Sequence, residues 1–198
     1  MANVNKVNGF KPHRYLNGAP YNGAFTRYVI PSSDGSATFI GDLVTADATA
    51  DSVTGLRGVN QAAASDACIG VVVGFEVDPT NLNTPMYRAA NTKRVVYVAD
   101  DPNLLFIAQE DGDTDPLEMV DAGLNVNFVV GSGSTTTGAS GMQIDSDTEN
   151  TTATLPLKLI EAVQSPNNEL VAAGQAYTRW VVKINNHQLG SHTGTAGV

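Results

Sequence analysis

Apolar residues recur at every second position along much of this chain. Leu124, Val126, Phe128 and Val130 alternate with Asn125, Asn127 and Val129, and Thr178, Trp180, Val182 and Ile184 with Arg179, Val181 and Lys183. Val96 and Val98 interleave with Val95, Tyr97 and Ala99, and Leu155, Leu157 and Leu159 repeat the period. Val71, Val73, Phe75 and Val77 share one face of a further run, with Val72, Gly74 and Glu76 on the other. A period of two belongs to strands half-buried against a core. Asp78-Pro79, Asp101-Pro102 and Ser165-Pro166-Asn167-Asn168 break the runs with turn chemistry. The pattern predicts a mainly β protein with Val73, Phe75, Val96, Val98, Val126, Phe128, Leu157, Trp180 and Val182 in its core.

One segment reads differently. Asp115-Pro116-Leu117-Glu118 offers a capping carboxylate, a proline at the first helical position and a glutamate behind it. Met119, Val120 and Ala122 extend this to a short connector helix, ended by Gly123. Residues 47–66 read as a long loop broken by a weak strand. Residues 131–141, all small or polar, read as a flexible loop with nothing large to pack. The first regular alternation lies at residues 25–30. That divides the chain into an extended N-terminal arm (1–23), a β body (24–189) and a small polar C-terminal tail (190–198) expected to be flexible.

Charge sharpens this division. The 198 residues carry a net charge of −9, yet the first 33 hold Lys6, Lys11, Arg14 and Arg27 and no acid. The remaining 165 hold 7 basic and 20 acidic groups, a net of −13. An acidic body of this kind repels phosphate backbones and anionic lipid, so neither nucleic acid nor a membrane is an expected partner. The first residues lack the apolar stretch of a signal peptide, which predicts synthesis in the cytoplasm.

Chemistry is hard to find. Cys68 is the single cysteine and starts an apolar run, so no intrachain disulfide or cysteine zinc site is expected. Ser140 lacks the second glycine of a nucleophile elbow, and His13, His187 and His192 stand in no zinc-binding spacing. Asp111, Asp113 and Asp115 have the spacing that opens a calcium loop, but Pro116 stands where glycine is required and Ala122 where glutamate is. Asp145, Asp147 and Glu149 fail in the same way. Asp100 and Asp101 are adjacent and read as a turn. No cofactor, metal site or catalytic residue is expected, and the chain is read as a non-enzyme.

What remains is overall pattern. Asn8-Gly-Phe-Lys-Pro-His-Arg-Tyr-Leu-Asn-Gly, Gly70-Val-Val-Val-Gly-Phe-Glu-Val, Val96-Tyr-Val-Ala-Asp-Asp-Pro, Phe128-Val-Val-Gly-Ser-Gly-Ser and Arg179-Trp-Val-Val-Lys-Ile-Asn run through most of the chain. In this it resembles the head decoration, or cement, proteins of tailed bacteriophages. The resemblance implies a β-barrel or β-sandwich body on the capsid exterior of the virion, a homotrimer that bridges subunits of the major capsid protein. Within that reading the arm is the docking element, with Lys6, Phe10, Lys11, Arg14, Tyr15, Tyr21 and Arg27 as the partner-binding residues. Two alternatives accompany it. One is a tail, connector or fibre component of the virion. The other is a carbohydrate-binding module stacking sugars on Tyr15, Tyr21, Tyr97 and Trp180.

Overall fold

The computed structural model describes residues 2–190 and 193–197; Met1, Ser191, His192 and Val198 lie outside them. Among the described residues eleven strands form two sheets, and the protein is mainly β, as the alternation predicts. Strands β2 (Thr26–Ile30), β3 (Leu43–Ala50), β4 (Arg57–Gln61), β5 (Gly70–Phe75) and β6 (Arg94–Ala99) close into a barrel in the order β2-β4-β3-β5-β6. Its one parallel contact, Val29 opposite Gly58, joins β2 to β4. The second sheet takes β1 (Lys11–Tyr15), β7 (Leu104–Gln109), β8 (Asn125–Val129), β9 (Gln143–Asn150), β10 (Leu157–Ala162) and β11 (Arg179–Ile184) in the order β1-β7-β11-β10-β8-β9. This sheet curls on itself: Glu110, just past β7, bridges Ile144 of β9, and the Asp111 N–H donates to the Ile144 carbonyl at 2.9 Å.

Two apolar clusters follow from this arrangement. Tyr28, Ile30, Val44, Val59, Val72, Val96 and Val98 fill the barrel. A larger cluster around Phe10, Phe106, Phe128 and the fully buried Trp180 also takes in Leu43, Val71 and Ala99 from the outside of the barrel wall. The barrel strands that face the second sheet are therefore buried on both sides. Their sequences read as near-continuous apolar runs for that reason.

The nine expected core residues divide accordingly. Val96, Val98, Val126, Phe128, Leu157, Trp180 and Val182 are buried, while Val73 and Phe75 are half-buried. The two do not share a face. A register shift between Val72 and Gly74 resets the alternation, so Val73 packs with the larger cluster and Phe75 against the barrel core.

Four local expectations give way. The connector helix is a single 3-10 turn, Met119–Asp121, capped by Glu118 and Asp121 bonding to each other's backbone rather than by Asp115. Leu117 is drawn into the core, where its N–H donates to Glu110 Oε2 at 2.9 Å; this fixes the segment as an anchored turn. Residues 47–50 continue β3 as strand. The 131–141 loop packs on Phe39, whose ring occupies the space where a side chain on Gly133 would stand. Residues 193–197 lie on the body, with Asn185 Oδ1 accepting from the Thr195 N–H at 2.9 Å and Asn125 Nδ2 donating to the Thr195 carbonyl at 2.7 Å.

The first 23 residues do not form a detached arm. Strand β1 pairs antiparallel with β7, Lys11 opposite Ile107 and Tyr15 opposite Leu104. Phe10 is only 1% exposed, and its N–H donates to the Gly41 carbonyl at 2.9 Å. Gly9, at φ +69°, lets the chain pass here, because a Cβ would meet Ser140 and Gly41 at 2.5–2.6 Å. A proline in the strand and a register shift between Pro12 and Arg14 hide the alternation from the sequence.

Candidate docking face and acidic cluster

Side-chain amides stitch the start of the chain to the second sheet. Asn3 Nδ2 donates to the Glu169 carbonyl (3.0 Å) and Thr178 Oγ1 (3.1 Å), while Asn3 Oδ1 accepts from the Glu169 N–H (2.7 Å). Gln109 Oε1 accepts from the Lys6 N–H and its Nε2 donates to the Val4 carbonyl, both at 2.9 Å. These two amides supply the backbone pairing that a further strand would have made. Between the stitched segment and β7 and β11 lies a cleft of about 420 Å³. Lys6, Lys11 and Arg179 line it, and no carboxylate does.

The seven expected partner-binding residues scatter over this framework. Lys6 and Lys11 are exposed and share the cleft, with no carboxylate within 4.0 Å of either among the described residues. Arg14, further along β1, pairs with Glu161 at 2.8 Å. Arg27 lies on the barrel, paired with Glu76 at 2.7 Å, so its charge is on the other sheet. Phe10 is core and cannot touch a partner. Tyr15 and Tyr21 are half-buried against the same core. The Tyr21 hydroxyl donates to the Ala24 carbonyl at 2.8 Å, and burial raises its pKa. Sequence reasoning missed Arg179. Its outward position in the β11 alternation is visible in the chain, but its closeness to Lys6 and Lys11 requires knowing that β7 lies between β1 and β11. Of the four aromatics proposed as a sugar platform, Trp180 is fully buried and out of reach of any ligand.

Two other places gather chemistry. Cys68 and His187 pair through their backbones in an isolated parallel bridge, a contact that sequence distance concealed. Burial pushes the thiol far up and the imidazole down to about 4. Both groups are thus held neutral, the reverse of a thiolate–imidazolium pair.

The curl of the second sheet also joins the two acidic loops. Asp111, Asp113 and Asp145 bring carboxylate oxygens within 4.8 Å of one another, and Ser146 Oγ lies 3.0 Å from both Asp111 Oδ1 and Asp113 Oδ1. Burial and the neighbouring Asp147, Asp111 and Asp113 push Asp145 up to about 7. These oxygens are the ones that could ligate a hard cation. Neither loop alone gathers these three carboxylates: Asp111 and Asp113 come from one and Asp145 from the other. Comparison with protein-family models, curated proteins and solved structures finds no match to this chain.

Proposed function

We propose that this chain is a non-enzymatic structural protein of a tailed-phage head. It decorates the capsid exterior as a homotrimer and stabilises it by bridging subunits of the major capsid protein. The observation that supports this reading is the face built by residues 2–15. It presents Lys6 and Lys11, which have no ion-pair partner among the described residues, on a body that is otherwise strongly acidic, and it is fastened to the second sheet by Asn3, Gln109 and strand pairing. A prefastened face loses less conformational entropy on docking than a loose arm would.

The test is to add the purified protein to phage heads that lack it and to reconstruct the particles by electron cryomicroscopy. Density on the capsid exterior, bridging capsid subunits, is the expected result. Lys6→Glu with Lys11→Glu lowers occupancy, and added salt imitates that loss by screening. Density confined to the tail, connector or fibres, or no binding to particles at all, overturns the reading.

A further inference from the structure

We infer that the cleft between the N-terminal segment and the second sheet seats an acidic peptide segment of a neighbouring protein, whose side-chain carboxylates meet Lys6, Lys11 and Arg179. This deepens the docking reading above and rests on it, taking the neighbour to be the protein on which this chain docks. Acids outnumber bases by 20 to 11 in this chain, yet the cleft collects three cations and no acid. Like charges gathered without a counterion repel one another, and an anion seated among them relieves that repulsion.

The chemistry of the lining points the same way. The amides of Asn3, Gln109 and Asn168 are occupied in holding the walls: Asn168 Nδ2 donates to the Val163 and Arg179 carbonyls, and its Oδ1 accepts from the Arg179 N–H. The charged groups left for a ligand are the two ammonium heads and the guanidinium. Among the described residues, only Nη2 of that guanidinium is bonded, to Asn167. Val4, 63% exposed, also lines the cleft and adds an apolar contact that a peptide can use and an inorganic anion cannot. A volume of about 420 Å³ suits a few side chains rather than a nucleic-acid duplex. A long polyanion would also meet Asp111 and Asp113, because Tyr177 of the cleft packs directly on Gly112 between them.

The experiment measures anisotropy of a fluorescein-labelled hexaglutamate peptide with the full-length protein at low ionic strength. The wild type should bind it, and affinity should fall as salt rises. Lys6→Glu with Lys11→Glu should weaken binding by about tenfold. Arg57→Glu, an exposed charge change on the barrel, should leave it within about twofold. Arg179→Gln should weaken it while thermal unfolding stays cooperative. Absence of binding, or equal weakening by the cleft and Arg57 variants, overturns the inference. So does an oligodeoxynucleotide or inorganic phosphate that competes as well as free hexaglutamate. Sedimentation of the protein alone provides a further arm: self-association that Lys6→Glu with Lys11→Glu abolishes would assign the cleft to a second copy instead. If capsid occupancy falls in that variant while hexaglutamate never binds, the docking reading survives and this inference fails.

Discussion

Glu110 shows how much one buried carboxyl can set. It is fully buried where β7 meets β9; Oε2 accepts from the Leu117 N–H, and among the described residues Oε1 has no hydrogen-bond partner. Burial raises its pKa to about 7, with Asp111 beside it adding to the effect. The folded protein therefore holds a proton here that the unfolded chain releases above about pH 4.5. The contribution of Glu110 to stability falls as pH rises from about 4.5 to 7, and is level above that. His187 acts in the opposite sense: its ring is lowered to about 4, so stability is lost as pH falls from about 6.5 to 4. A variant separates the two. Glu110→Gln should gain about 1–3 kcal/mol over wild type at pH 8 relative to its difference at pH 5, read from urea unfolding at both values. A difference that does not change with pH would show that Glu110 titrates normally.

At the scale of elements, the strands whose alternation is clean, β8, β11 and β10 as far as Leu159, could be read directly from the chain, because each buries one dominant face. Where burial is two-sided or a register shift intervenes, the period misleads. The shift after Val72 separates Val73 from Phe75, and the shift at Pro12–Arg14 disguises β1 as an arm. The 115–122 segment carried real helix-start chemistry, but the docking of Leu117 decided its conformation. The candidate docking face was half legible. A basic excess marked Lys6 and Lys11, whereas Phe10 and Arg27 were grouped with them only by nearness in sequence. Strand order, which no local pattern encodes, supplied Arg179. One consequence is measurable. Phe10→Ala should cost about 3–5 kcal/mol in a denaturant melt, as a cavity in a shared core does, while Lys6→Ala stays within about 0.5 kcal/mol. Equal, negligible effects would restore the detachable arm.

For the whole molecule, the governing fact is that the barrel is inserted within an antiparallel pair. Tyr15 closes β1 directly opposite Leu104, which opens β7, and everything between them is barrel or its connections. Barrel closure removes free edges from five strands and leaves β1 and β9 at the ends of the second sheet. The insertion also sets an order in time. The ribosome delivers β1 first and its partner about 90 residues later, an interval of roughly 5–20 s at ordinary translation rates. Arg179 arrives later still, well after β7 has been made. Chains truncated after residue 103, before β7, should accordingly protect the barrel from limited proteolysis while residues 2–15 remain cleavable. Protection of both segments would contradict the order. A polypeptide that stops short of β11 has no complete cleft to present, so the surface proposed to meet a neighbour is also a certificate that synthesis has passed Arg179.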